Sequence, residues 1–181
     1  AERARAPFTD VADLAERVAL QAKEIANLVA CGALDGLGAS RAALAADVEE
    51  TARGGTMQMA LFAAEPPPAE SAAQRLLWER QILGFPVSVH PLDVVTLPDG
   101  LTPLAQLAAQ PGKRLRTAGC KLPGGTGGKG FFLADAVTYV TAVPVRGLAS
   151  PTNWEPVLLT GRWLVDDWGG GSLQVEAIDK L

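Results

Sequence analysis

Histidine and tyrosine each occur once in this 181-residue chain, and cysteine only twice. That scarcity removes several kinds of chemistry. Cys31 and Cys120 lie far apart in different segments and form no pair at metal-ligand spacing, and with a single histidine a zinc site is not supported. The two cysteines read as reduced thiols of a cytoplasmic protein. His90, in LGFPVSVHPL, has no Ser/Asp or Cys constellation around it and reads as structural rather than catalytic. The acidic residues form no spaced triad that would hold two magnesium ions, so metal-assisted phosphoryl-transfer chemistry is not visible. No apolar run reaches membrane-spanning length, and there is no signal peptide. Nothing in the sequence calls for a cofactor.

An excess of positive charge is also lacking: the net charge is −4. The whole chain therefore has no electrostatic footprint for nucleic acid. The distribution says more. Residues 1–62 carry six Lys/Arg against nine Asp/Glu, and residues 63–111 carry two against five. Residues 112–181 reverse the balance with eight against six. Within that last stretch Lys113, Arg114, Arg116, Lys121 and Lys129 follow one another with no intervening acid. A nucleic-acid-facing surface is expected there.

Hydrophobic residues make up 48% and charged residues 20%, a globular balance at a length that suits one or two small domains. The chain opens without Met on a charged, helical stretch, AERARAPF, which reads as part of something longer. Helical periodicity covers 8–18, with Thr9 or Asp10 as cap, then 20–31, with Gly32 at the C-cap position. The glycine-punctuated turn GALDGLG follows, and Ser40 caps a third helix over 41–53. AAEPPPAES at 63–71 reads as an extended Pro-rich linker. A fourth helix is expected over 71–83, with Leu76, Leu77, Trp78 and Ile82 as its buried residues, stopping at Gly84. The connector at 85–111 holds one short helix at 102–109.

From Leu115 the period changes from helical to alternating. RLRTAGCKL, FFLAD, TYVTAVP, PVLLTGRWLVDD and SLQVEAID read as five short strands separated by Gly-, Pro- and Asp-rich turns. The fold class is α+β: a helical, helix-hairpin-helix-like segment followed by a small five-stranded OB-type barrel. Three divisions are expected: 1–62, helical and ending in a binding peptide; 63–112, linker, helix and connector; and 113–181, the barrel.

Two motifs fail on inspection. Gly125, Gly127 and Gly130 satisfy G-x-G-x-x-G, but a strand follows them where a dinucleotide site needs a helix. As a Walker A loop the stretch has Pro123 at the first glycine position and Gly130 where Ser or Thr should bind metal. A hairpin loop is the better reading. Two other features point to binding. Gln58-Met59-Ala60-Leu61-Phe62 is a short peptide whose Leu and Phe can anchor in an apolar groove, with Gln at the rim. The bland alternative is that Leu61 and Phe62 merely cover the end of the third helix. Lys121 and Lys129 in the glycine loop, with Trp168 in WGGGS, match the loops with which OB barrels grip single strands. The alternative is ordinary surface lysines and a tryptophan packed on glycines.

RAPFTDVADLAERV with IANLVACGALDGLGASRAAL, then WERQILGFPVSVHPLD, then LLTGRWLVDDWGGGSLQVEAIDKL occur in that order. In this order they resemble the C-terminal region of the bacterial DNA polymerase III alpha subunit, of the C family, replicative or error-prone. The resemblance implies a non-catalytic tail of a DNA-directed DNA polymerase. It implies a sliding-clamp peptide at Gln58, Leu61 and Phe62, and single-stranded or primer-template DNA at Arg116, Lys121, Lys129 and Trp168. It also implies the remainder of the polymerase chain or holoenzyme as partner, a cytoplasmic location and no membrane. That family's DNA-gripping glycine hairpin is expected upstream of Ala1, and the barrel is expected to be trimmed at LADAVTYV and at 144–156. A stand-alone single-strand-binding OB protein is the alternative, and a small nucleotide-using enzyme a weaker third.

Overall fold

The structure, a computed structural model, describes residues 2–38, 40–52 and 67–181. The chain divides into two compact units, 1–89 and 90–181.

The first unit is helical: α1 (Glu2–Arg5), α2 (Val11–Arg17), α3 (Ala22–Ala30), α4 (Arg41–Ala52) and α5 (Ala72–Leu83). Local signals set most of the boundaries. Asp10 caps α2, its Oδ1 accepting from Asp13 N at 2.8 Å. Gln21 and Glu24 form a capping box at the start of α3. Ser71 caps α5, and Gly84 ends it in the left-handed region at φ 81°. Between α3 and α4, residues 31–38 make a tight turn. The apolar stripes of α2, α3 and α4 meet in a core of Val11, Leu14, Ile25, Val29, Leu34, Leu44 and Val48.

The face that α5 buries is not the one its apolar residues suggest. Leu76 is buried as expected, but Leu77 is 59% exposed and Ile82 38% exposed. The fully buried residue three positions from Leu76 is Glu79. It receives Arg41 Nη1 at 2.9 Å, Val87 N at 2.6 Å, Ser88 N at 2.9 Å and Ser88 Oγ at 2.5 Å. Arg41, itself 3% exposed, also makes a two-point contact with Asp35, at 2.7 and 2.8 Å. A charged group is tolerated inside when every lone pair is met, and Glu79 meets that condition. The network ties the α3–α4 turn to α5 and to the 87–88 segment. Gly32, at φ +83°, lies so close that a Cβ there would overlap the guanidinium of Arg41.

The second unit opens with two 3₁₀ turns, Pro91–Val94 and Leu104–Ala109. His90 caps the first: its Nδ1 accepts from Leu92 N at 3.2 Å. Five strands follow: β1 (Arg114–Lys121), β2 (Phe131–Ala134), β3 (Tyr139–Pro144), β4 (Pro156–Val165) and β5 (Gly171–Lys180). They close in the order β1-β2-β3-β5-β4, with β3 and β5 parallel and every other pair antiparallel. This is the five-stranded OB-type barrel. Alternate residues fill it: Leu115, Phe131, Leu133, Ala142, Val157, Leu159, Trp163, Leu173 and Val175, with Leu104 and Leu107 packed into the same core. The β4–β5 ladder shifts register between Thr160 and Gly161, where a Cβ on Gly161 would run into the Gln174 carbonyl.

Candidate nucleic-acid interface

Because side chains alternate along a strand, the burial of Phe131, Leu133 and Ala142 turns their neighbours outward. Phe132, Tyr139 and Thr141 share the outer face of β2 and β3. Phe132 and Tyr139 are diagonal neighbours across the ladder, with ring centroids 5.9 Å apart and planes at 90°. Tyr139 is 64% exposed, and Val137 in the adjoining turn 86%. Asp135 holds that turn, its Oδ1 accepting from Val137 N and Thr138 N, both at 2.8 Å.

Trp168 sits in the β4–β5 turn and is 95% exposed. It does not pack on its glycine neighbours. Its backbone is nonetheless fixed, since Asp166 Oδ1 accepts from Trp168 N at 2.9 Å and from Gly170 N at 2.8 Å. In the parallel β3–β5 ladder Ala142 pairs with Leu173, so stepping back two residues along both strands sets Gly171 level with Val140. The turn bearing Trp168 therefore lies at the Tyr139 end of the outer face. Lys129 is exposed in the β1–β2 loop, just before β2, at the other end of that face. Lys121, half-buried, closes β1.

Arg116 is placed differently. It is exposed on β1 opposite Thr160 of β4, on the side of the barrel where Arg114 and Arg162 both bond Glu176, at 2.8 and 3.1 Å. These contacts hold the Glu176 carboxyl below its usual range, Arg114 acting most strongly. The structure thus sets the turn bearing Trp168 toward the end of the barrel where Tyr139 begins β3, puts Lys129 at the other end of that face, and leaves Arg116 with an arginine-rich patch elsewhere. Gln58, Leu61 and Phe62 lie outside the described residues. The sequence reading passed over Phe132 and Tyr139; the alternation of FFLAD and TYVTAVP, read strictly, marks both as outward.

In the helical unit the α4 N-terminus is already supplied with acceptors. Ser40 Oγ accepts from Ala43 N at 3.1 Å, and Glu70 Oε2 accepts from Ala42 N at 3.0 Å. The amides that a helix start offers to an anion are here met by a carboxylate of the same chain.

Comparison with known proteins bears on both units. A family model for the helix-hairpin-helix motif matches residues 1–44, a span that includes the turn at 31–38. A glycine-bearing hairpin is therefore present within this chain. An error-prone DNA polymerase of Azoarcus sp. (strain BH72) is 36% identical over 159 residues. That alignment takes in 82% of this chain and 14% of the relative, so the chain spans about a seventh of the relative's length. Among solved structures, the telomere capping protein Ten1 from Saccharomyces pombe is similar over 46% of this chain and 81% of its own, with 23% identity and a TM-score of 0.36. The second OB-fold domain of replication protein A from Methanococcus maripaludis is similar over 39% of this chain and 86% of its own, with 12% identity and a TM-score of 0.32.

Proposed function

We propose that this chain is a non-catalytic, nucleic-acid- and clamp-binding tail of a bacterial C-family DNA polymerase of the error-prone type. The observation that carries the reading is the alignment to an error-prone DNA polymerase over 82% of the chain, through both units in order. The helix-hairpin-helix match supports it from one side, and the OB-type barrel with its exposed aromatic face from the other. In this reading the barrel receives single-stranded template through Trp168, Lys129 and Lys121, with Arg116 on a separate approach. Gln58, Leu61 and Phe62 tether the chain to a bacterial sliding clamp, and the remaining polymerase chain supplies the chemistry. Tethering raises the local concentration of a weak DNA contact, so neither contact has to be strong alone.

The test is clamp binding by the full chain and by a Leu61→Ala, Phe62→Ala double variant. Two buried apolar side chains are worth about 1.5–3 kcal/mol each, so the double variant should bind at least about a hundredfold more weakly while its circular dichroism stays unchanged. Equal binding, or none by either, removes the tether. Single-strand binding that survives without any clamp binding would favour a stand-alone single-strand-binding accessory protein instead, a role the same barrel face also fits.

A further inference from the structure

The outer face of β1, β4 and β5 carries positive charge on a chain whose net charge is −4. Arg114 of β1 stands directly opposite Arg162 of β4, and Arg116, two residues along, shares their face. Like charges set opposite one another across a ladder repel, so the pair needs compensation. Glu176 supplies it. The β4–β5 register passes from Thr160↔Ala177 to Gly161↔Val175, which leaves Glu176 as the extra residue of the bulge. Its carboxylate accepts from Arg114 Nε at 2.8 Å and from Arg162 Nε at 3.1 Å. Arg162 is further anchored by donating from Nη1 to the Gly112 carbonyl at 3.0 Å. The compensation is incomplete. One acid stands against three arginines, with Lys113 exposed beside Arg114. The Arg114 side chain remains 63% exposed, and the Arg116 guanidinium makes no hydrogen bond or ion pair among the described residues. The next acid on β5, Asp179, pairs with Leu158, beyond the row that holds Arg116 and Thr160.

We propose that this face is a docking surface for a short acidic segment of a partner protein, whose carboxylates pair with the free guanidinium groups of Arg114 and Arg116. Glu176 already illustrates the chemistry, a carboxylate seated between two arginines. It takes only Nε of Arg114, so both Nη groups remain to receive a second carboxylate. Arg114 and Arg116 lie about 6.7 Å apart along β1, the spacing at which an extended segment sets alternate side chains on one face. The barrel is closed, so no strand edge is free to add a partner strand, and side-chain charge has to carry the recognition. Two observations favour protein over nucleic acid. The outward residues here, Arg114, Arg116, Thr160, Arg162, Gln174 and Glu176, include no aromatic ring, so unpaired bases have nothing to stack on. A long polyanion also meets the field of the whole chain, which is net negative. A short acidic segment meets mainly the charges within a Debye length, about 8 Å at physiological salt. The proposal takes Arg116 out of the nucleic-acid contact and is otherwise independent of the reading above.

Fluorescence anisotropy of the full chain with a short labelled peptide of alternating Asp and Ser tests this. The controls are its Asn counterpart and two short oligonucleotides, one single-stranded and one duplex. The Asp peptide should bind at least about tenfold more tightly than the Asn peptide, and its binding should weaken as salt rises. Arg114→Gln and Arg116→Gln should each weaken the Asp peptide by about fivefold and leave both oligonucleotides unchanged. Glu176→Gln removes the competing carboxylate and should tighten the Asp peptide by about fivefold. The Arg116 guanidinium has no partner to lose among the described residues, so Arg116→Gln keeps the fold even if the other two substitutions disturb it. An Asp peptide that binds no better than the Asn peptide, or that ignores both arginine substitutions, overturns the proposal. So does a loss confined to the oligonucleotides in the arginine variants, which would make the patch a phosphate surface. None of these outcomes bears on clamp binding, so the tether reading stands or falls separately.

Discussion

Replacing Glu79 by Gln should unfold the helical unit more readily than any surface change in it. The carboxylate is fully buried and accepts from Arg41, Val87 and Ser88, the last through both its amide and its hydroxyl. Glutamine offers one oxygen and one NH₂ group. If the oxygen keeps the Val87 and Ser88 amides, the NH₂ meets the Arg41 guanidinium, donor against donor. Removing one partner of a buried pair costs about 3–5 kcal/mol. Arg41 keeps its two-point contact with Asp35, which argues for the low end, about 3 kcal/mol. The electrostatics of the site give a second route to the magnitude. Desolvation pushes the Glu79 carboxyl up, but the bonds from Ser88, Val87 and Arg41 outweigh it and hold it down at about 2, from an ordinary 4.5. At about 1.36 kcal/mol per unit, that depression corresponds to roughly 3 kcal/mol. The folded value lies below the unfolded one. The stabilisation is therefore complete above about pH 4.5 and is lost as pH falls from there towards 2. Urea unfolding followed by far-ultraviolet circular dichroism, at neutral pH and through the acid range, measures both effects. The variant should be less stable at pH 7, and the gap from wild type should close in acid. A loss below about 1 kcal/mol at pH 7, or a gap that persists unchanged at low pH, would refute the assignment.

Two further predictions concern single atoms. Gly32→Ala should cost more than Gly84→Ala, although both glycines have positive φ, because only a Cβ at Gly32 meets Arg41. Gly84→Ala should cost about 1 kcal/mol for the backbone alone, and Gly32→Ala at least about twice that in the same urea experiment; equal losses would show that the guanidinium gives way. Thr117 Oγ1 is buried with no hydrogen-bond partner, so Thr117→Val removes an unmet polar group at similar volume. It should gain about 1 kcal/mol, raising the melting temperature of the barrel unit by about 4–8 °C, and a lower melting temperature would show that the hydroxyl is satisfied.

Several elements were legible because their causes are local. The α2, α3, α4 and α5 boundaries follow from Asp10, Gln21 with Glu24, Ser40, Ser71 and Gly84, each acting within a turn of its own position. The five strands fall where alternation runs between Gly-, Pro- and Asp-rich turns. The G-x-G-x-x-G run at 125–130 leads into β2, as a hairpin loop should. The α5 face was misread for a different reason. Leu77 and Ile82 are apolar yet exposed, while Glu79 faces inward beside Leu76. Glu79 can do so only because Arg41 and the amides of Val87 and Ser88 converge on it from elsewhere in the unit.

By itself the sequence determined which segments are helix or strand, most of their ends to within a few residues, and that the last third alone carries a net positive charge. Those properties depend on periodicity, caps and turn chemistry over a few residues. Only the tertiary structure decided the partners. The β1–β4 and β3–β5 pairings that close the barrel join segments far apart in sequence, and no local signal sets their register. That closure brings Trp168 to the Tyr139 end of the outer face and leaves Arg116 on the other side. A residue's surroundings are supplied by whatever packs against it, so the burial of Glu79 and the exposure of Tyr139 could be read only once the chain had folded around them.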